Sequence, residues 1–209
     1  TATSRVIVME SIADEFVKRL AGKAREVVVG NPLARGVGMG PSVDEKQMQT
    51  VLSYIEIGKS EGATLVCGGR RLTDGQRATG FFVEPTVFDH VTPSMRIARE
   101  EIFGPVVSVI RVKTFEEAME AANDVDYGLS SSIYSNDNAR IFRFLDEIET
   151  GITHVNSPTV GGEAQLPFGG MKGTGVGPRE QGREAILFYT EIKTVYIDYT
   201  GRKRETNIY

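Results

Sequence analysis

The residues with the clearest chemical potential form the run Glu100 to Val106, which reads EEIFGPV and leads into an apolar run that ends at Val112. A Gly-Pro pair predicts a tight loop, because Gly104 can adopt backbone angles closed to other residues and Pro105 fixes its own φ. In open α/β sheets, ligands gather in crevices beside loops at strand ends. A carboxylate in such a loop can accept hydrogen bonds from a ribose diol, and a phenyl ring can pack against a flat heterocycle. The alternative is a carboxylate at a helix N-terminus followed by a core Phe.

A second long motif runs from Leu166 to Gly182 and reads LPFGGMKGTGVGPREQG. Together with EEIFGPV it resembles the NAD(P)-dependent aldehyde dehydrogenase superfamily, and the likeness extends from Thr1 to Ile197. The resemblance implies an α/β fold, the parallel-sheet aldehyde dehydrogenase catalytic domain with a C-terminal oligomerisation strand. We expect the catalytic domain over residues 1–188, incomplete because its cofactor domain lies earlier, and the oligomerisation strand and tail over residues 189–209.

The resemblance also implies a reaction: a cysteine thiolate attacks an aldehyde, hydride passes to NAD or NADP, and the resulting thioester is hydrolysed to a carboxylate. The family's nucleophile typically lies in a segment ending Cys-x-x-x-Ser-Arg, and Thr1 to Arg5 match the residues after that cysteine. We therefore expect the nucleophile directly before Thr1, with the general base, the oxyanion-hole asparagine and the dinucleotide-binding domain earlier still. On this interpretation the chain alone is inactive.

The resemblance assigns three residues to the cofactor. Glu101 would hold the nicotinamide ribose hydroxyls and Phe103 would pack beside the nicotinamide. Gln47 falls where some relatives place a second ribose contact, although the position three later, often Lys in relatives, is Thr50 here. The polar face of an ordinary helix is an alternative account of Gln47.

The resemblance further implies that the loop Asn156 to Phe168 borders the substrate tunnel. Ser157 and Phe168 would lie nearest the aldehyde, and Thr1 beside the nucleophile. The loop is small and polar rather than aromatic, which favours a small or polar aldehyde such as a semialdehyde over a long aliphatic one. Alternatively, Phe168 is a plain core anchor for the glycine-rich loop that comes after it.

Glu180 matches a glutamate near the family's water and proton route, although the run Gly177-Pro178-Arg179-Glu180 is one residue longer than the commonest family form. A helix N-terminal carboxylate, favoured by the helix macrodipole, is the alternative.

The remaining candidates for chemistry are few. Cys67, the single cysteine, ends an apolar strand with no cation or His beside it, so we predict a buried structural thiol. His90 and His154 lack partners at metal-ligand spacing, so no metal site is expected.

The net charge of −4 gives no reason to expect nucleic-acid binding, and no apolar run approaches the roughly 18 residues of a membrane span. One cysteine fits a reducing compartment, so we expect a cytoplasmic protein.

Strands that alternate with helices of about 10 to 15 residues predict a parallel α/β sheet. Ser11 and Thr114 are the expected helix N-caps, and Gly151 the left-handed residue that ends a helix.

Residues 191–199 alternate like a strand with apolar groups on both sides, and by resemblance this strand would pair with a neighbouring subunit in a dimer or tetramer. Two other functions stay open: a non-enzymatic α/β assembly or ligand-binding module, and an acylating relative that passes the thioester to coenzyme A.

Overall fold

The main sheet carries the loop that the sequence singles out. A computed structural model describes residues 2–199 and 201–202. The sheet has the order β1-β4-β3-β2, with β1 at Arg5–Met9, β2 at Thr64–Cys67, β3 at Thr86–Asp89 and β4 at Val106–Val112. β1 and β3 are parallel to β4, as predicted. The prediction is wrong for β2, which pairs antiparallel with β3. No crossover helix joins these two strands; the chain makes a surface excursion with only a 3-10 turn at Gly75–Thr79, and parallel neighbours need a crossover.

Helices cover both faces of this sheet. Helix α1 (Glu10–Glu26) lies on one face, and α2 (Glu45–Ser60) and the short α3 (Arg96–Arg99) lie on the other. Apolar residues at helical spacing line the buried side of each long helix: Ala13, Val17 and Ala21 on α1, and Met48, Val51 and Ile55 on α2. β4 is mostly buried because it lies between these layers, which explains its near-continuous apolar sequence.

One predicted helix cap is confirmed and one is wrong. The Thr114 hydroxyl accepts a hydrogen bond from the Glu117 N–H at 3.1 Å, and the Glu117 carboxylate accepts one from the Lys113 N–H at 2.7 Å. This arrangement starts α4 (Phe115–Asn123). Ser11 caps nothing, because α1 already begins at Glu10 after an extended Met9.

After α4, the described residues form two small sheets and two further helices. Strands β6 (Ser130–Ile133) and β7 (Ile152–Val155) are parallel, while β5 (Tyr127–Gly128) and β8 (Met171–Lys172) are antiparallel. α5 (Asn138–Glu147) packs against α4 around a small cluster of Met119, Phe144 and Ile148. The last helix among the described residues is α6 (Glu184–Tyr189).

Gly151 has a different role from the predicted one. α5 ends at Glu147, the following Ile148 is extended, and Gly151 has no left-handed φ. A Cβ at Gly151 would lie 1.9 Å from the Gly169 carbonyl oxygen. The residue is therefore glycine because the glycine-rich loop passes directly over its Cα.

Residues 191–199 form no strand in the described chain, and their side chains are exposed. The predicted strand is absent here, because a strand exists through ladder bonds to a neighbour and this segment forms none with the described residues. Its pairing with a second subunit stays a prediction. Among the described residues, no helix has the length and apolar character needed to cross a membrane.

Candidate functional site

The Gly-Pro loop lies where the sequence predicts a loop, between α3 and β4. The Pro105 carbonyl accepts a hydrogen bond from the Thr86 N–H at 2.8 Å, which joins the loop to β3. Because β4 begins at Val106, the loop lies at the amino end of its strand. Ligands of open α/β sheets generally bind at the carboxyl ends of the strands, so that tendency does not explain a site at this loop.

Phe103 is the left-handed residue of this loop. Its φ is 53° and its side chain is 79% exposed, so the alternative of a core Phe is wrong. Gly104 is required for a different reason: a Cβ there would lie 2.3 Å from a methyl group of Val51 on α2. The loop thus turns its ring outward while its backbone lies tightly against the helix.

The two neighbouring carboxylates have opposite environments. Glu100 accepts hydrogen bonds from both the Nε and an Nη of Arg96, at 2.8 and 2.9 Å, and from the Tyr54 hydroxyl at 2.6 Å. The Arg96 and then the Tyr54 hydrogen bonds lower the pKa of Glu100 to about 2. Glu101 is exposed, and its carboxylate has no hydrogen bond or ion pair with the described residues. Glu101 is therefore available to accept hydrogen bonds from a ligand.

Gln47 contacts this loop rather than extending into solvent. Its side-chain amide donates to the carbonyl oxygens of Ile102 and Phe103, both at 3.0 Å. The donors of Gln47 are thus already bonded, which leaves its side-chain oxygen for any ligand. A direct ribose contact by Gln47 stays a prediction.

The residues before β1 contact both β4 and the predicted substrate loop. The Ser108 N–H donates to the Ser4 carbonyl at 3.0 Å, so the residues before β1 lie beside the start of β4. The Thr3 and Thr159 hydroxyls are 3.0 Å apart, which joins these residues to the predicted substrate loop. Thr1, predicted to lie near the aldehyde, falls outside the described residues.

The predicted substrate loop leaves the end of β7 in a defined conformation. The Ser157 carbonyl accepts a hydrogen bond from the Ser132 hydroxyl at 2.5 Å. The preceding Asn156 is left-handed, with φ 53°, and its amide bonds both the N–H and the carbonyl of Ser135, at 2.9 and 3.0 Å. Sequence reasoning missed Asn156; an Asn directly after a strand was the available signal, because Asn tolerates this region best among non-glycine residues.

Phe168 and Glu180 lie side by side although the sequence treats them as separate candidates. They form an antiparallel bridge that closes the loop of residues 169–179. Phe168 is half-buried, while Glu180 is exposed and its carboxylate has no described partner. The alternative for Glu180, a helix N-terminal carboxylate, is wrong because α6 begins only at Glu184 after Arg183.

The glycine-rich loop is attached to the rest of the fold by polar contacts. Lys172 donates to the Asn123 carbonyl and to the Val125 carbonyl at 3.2 Å, and its ammonium group lies 2.5 Å from the Glu149 carboxylate. These contacts join the loop to the end of α4.

Cys67 has the character predicted for a structural thiol. It is 8% exposed, and burial raises the pKa of its thiol. Both features oppose thiolate formation. Within the described part of the chain, no group of three or more His, Cys, Asp or Glu residues could hold a metal ion.

Comparison with known proteins confirms the resemblance that the two motifs carry. Residues 1–195 match the sequence profile of the aldehyde dehydrogenase family. The chain belongs to this family. It is 46% identical over 197 residues to the alpha-ketoglutaric semialdehyde dehydrogenase of Bacillus subtilis (strain 168), covering 94% of this chain and 40% of that protein. It is 49% identical over 201 residues to the alpha-ketoglutarate semialdehyde dehydrogenase of Haloferax volcanii, covering 95% of this chain and 41% of that protein.

The fold agrees with solved structures of the aldehyde dehydrogenase family. The betaine aldehyde dehydrogenase of Staphylococcus aureus in complex with NAD+ superposes with a TM-score of 0.85 at 36% identity, covering 89% of this chain and 37% of that one. The chain spans about two fifths of the length of the curated relatives that it matches.

Proposed function

We propose that this chain supplies the nicotinamide-side and substrate-side parts of the active site of an NAD(P)-dependent aldehyde dehydrogenase, which oxidises an aldehyde to its carboxylate. The observation that carries the proposal is the contrast between the two adjacent carboxylates. Glu100 is fully bonded within the chain, whereas Glu101 is exposed without a partner beside the outward-facing ring of Phe103. A left-handed, exposed Phe costs backbone free energy that packing of its ring does not offset, and a ligand role for this ring and the neighbouring carboxylate accounts for the arrangement.

The residues of this loop fit a nicotinamide cofactor. Glu101 would accept hydrogen bonds from the ribose hydroxyls, and the Phe103 ring would pack beside the nicotinamide. The cofactor, when bound, accepts the hydride. The NAD+ complex of the Staphylococcus aureus relative supports this assignment, and both NAD and NADP stay open for this chain.

The substrate in this proposal is a small or polar aldehyde, with a semialdehyde as the leading candidate. The loop of residues 156–168 carries small and polar residues, with Ser157 and Phe168 as its proposed contacts and Thr1 on the nucleophile side. Two relatives are named semialdehyde dehydrogenases, which supports this choice. The loop contains no Lys or Arg, so a cation that pairs with a substrate carboxylate would come from another part of the enzyme.

The covalent chemistry would use a thiol from outside these 209 residues. Cys67 is the single cysteine of the sequence, and it is buried with a raised pKa. For the hydrolytic half of the reaction we assign Glu180 to the route of water and protons, because its carboxylate is exposed and unpaired among the described residues.

We also propose that residues 1–188 belong to the catalytic domain and that residues 189–209 mediate homo-oligomerisation. The second part of this proposal is supported by the exposure of apolar side chains after α6, such as Ile192 at 86%, Tyr196 at 86% and Ile197 at 63%. Exposed apolar groups at such density favour burial against a partner. A cytoplasmic location stays part of the proposal.

The test measures aldehyde-dependent reduction of NAD and of NADP by the complete enzyme that contains this sequence. The substrates are a dicarboxylic semialdehyde, betaine aldehyde and a long aliphatic aldehyde, each with and without coenzyme A. We expect turnover without coenzyme A and the highest kcat/KM for the semialdehyde. Turnover that requires coenzyme A would replace hydrolysis with acylation, and an absence of reduction with every aldehyde would overturn the proposal.

The variant Glu101→Gln tests the cofactor assignment. Loss of hydrogen bonds to an ionised acceptor should raise the KM for the cofactor by about tenfold or more. The matched control is Glu120→Gln, which removes an exposed carboxylate of α4 that has no described partner. Equal behaviour of the two variants would refute the role of Glu101.

A further inference from the structure

One face of α2 contacts the cofactor loop at three successive points. Gln47, Val51 and Tyr54 are spaced i, i+4 and i+7, so their side chains lie in one row along the helix. The whole row faces residues 100–104. The spacing is readable in the sequence, but the pairing of this row with a loop far along the chain is visible only in the structure.

The first contact supports the strained residue of the loop. The Gln47 amide donates to the carbonyl oxygens of Ile102 and Phe103, both at 3.0 Å, on the two peptide groups that flank the left-handed Phe103. A bulky residue with positive φ persists only where its surroundings fix it. Gln47 therefore supplies hydrogen bonds that keep the loop in the conformation that turns the ring outward.

The second and third contacts fix the two ends of the loop, at Gly104 and at Glu100. Val51 lies so close to Gly104 that no Cβ fits there, and the Tyr54 hydroxyl donates to Glu100 at 2.6 Å. Arg96 completes the Glu100 end by bonding Glu100 and lying over the Tyr54 ring, 5.5 Å from the ring centre. Glu101 thus lies between two fixed residues, Glu100 and the buried Ile102, while its own carboxylate stays unpaired.

We infer that the Gln47, Val51 and Tyr54 row is a positioning element that holds Glu101 and Phe103 ready for the nicotinamide half of the cofactor. This inference rests on the proposed function. It gives Gln47 a role through the loop backbone, separate from the predicted contact with a ribose hydroxyl. Preorganisation of this kind lowers the ordering cost of binding, so its loss should weaken cofactor binding more than it slows turnover at saturation.

The decisive variant is Gln47→Leu, which keeps the side-chain size and removes the donors. The matched control is Gln49→Leu on the same helix, whose side chain is exposed and has no described partner. Amide hydrogen exchange, read by mass spectrometry on the complete enzyme, should become about tenfold faster in residues 99–106 of the first variant only. Its cofactor dissociation constant should rise by about tenfold, with kcat at saturating cofactor changed by less.

The pH dependence of cofactor affinity in Gln47→Glu distinguishes loss of the hydrogen-bond donor from a packing effect of the substitution. A carboxylate cannot donate to the two carbonyl groups, whereas its protonated form has one O–H donor. The cofactor affinity of Gln47→Glu should therefore recover toward that of the parent enzyme as the pH falls to about 5, while Gln47→Leu shows no such recovery.

Tyr54→Phe, compared with the exposed Tyr134→Phe, tests the other end of the row. We expect faster exchange in residues 99–106 for Tyr54→Phe alone. Unchanged exchange in that segment for both Gln47→Leu and Tyr54→Phe would overturn the inference, whatever the activity. An enzyme that reduces no cofactor with any aldehyde would overturn the proposed function instead, and the exchange result would still decide the positioning role.

Discussion

The Phe168 N–H donates to the Glu180 carbonyl at 2.6 Å, and the Glu180 N–H donates back to the Phe168 carbonyl at 2.7 Å. This reciprocal pair closes the glycine-rich loop that separates the two residues. Glu180 therefore acts in the fold through its backbone, and its side chain is free for chemistry. The two roles can be separated by substitution.

Glu180→Gln keeps the N–H and should change the free energy of unfolding by no more than about 0.5 kcal/mol. Glu180→Pro removes the N–H, leaves the Phe168 carbonyl without its partner and should cost about 1 to 3 kcal/mol. Chemical denaturation of both variants measures the difference. Equal losses would mean that the carboxylate, rather than the backbone, contributes the stability.

Gly151 should tolerate no side chain, because a Cβ there would lie 1.9 Å from the Gly169 carbonyl oxygen. We expect Gly151→Ala to displace the glycine-rich loop and to destabilise the fold by about 1 to 3 kcal/mol. Gly22→Ala is the control, because Gly22 lies within α1 with no atom near its Cβ position. That variant should gain about 0.5 to 1 kcal/mol, so thermal unfolding should shift in opposite directions for the two variants.

The local features of the fold can be predicted from the sequence more reliably than the contacts between distant segments. The cap at Thr114 and the strand Val106–Val112 depend on neighbouring residues and on hydrophobic patterning, and both are confirmed. The Gly-Pro pair predicts a tight loop, but it does not predict that Phe103 is the left-handed residue of that loop. Gly104 is glycine because Val51 of α2 occupies the space beside it. This contact is non-local, and no pattern within EEIFGPV predicts it.

In the candidate site too, local features can be predicted from the sequence more reliably than contacts between distant segments. The two motifs identify Glu101, Phe103, Phe168 and Glu180 as residues of interest. They do not indicate that Phe168 and Glu180 are bonded to each other, or that Gln47 bonds the loop backbone. Such relationships depend on how separate elements pack, and a single sequence contains no direct signal for them.

The bonds of Glu100 make a pH-dependent contribution to stability. Its folded pKa of about 2 lies below its ordinary value of 4.5, so the stabilisation is complete above the unfolded pKa and is lost as the pH falls through the folded pKa. Glu100→Gln removes it at every pH. Unfolding free energies of the two proteins should differ by a constant amount above about pH 5.5 and converge toward about pH 2. A difference that grows in acid would contradict this assignment.

Phe103 should show opposing effects on stability and on cofactor binding. Its left-handed backbone costs a bulky residue about 1 to 2 kcal/mol, and its side chain is 79% exposed, so little burial offsets that cost. Asn adopts this conformation more readily, so Phe103→Asn should leave the free energy of unfolding unchanged or raise it by up to about 1 kcal/mol. The same variant removes the ring and should weaken cofactor binding, measured by titration calorimetry on the complete enzyme.

Phe103→Tyr, which keeps both the ring and the strain, should retain the parent affinity and stability. A clear loss of stability in Phe103→Asn would instead show that the ring packs within the fold, and the ligand role assigned to it would then fail.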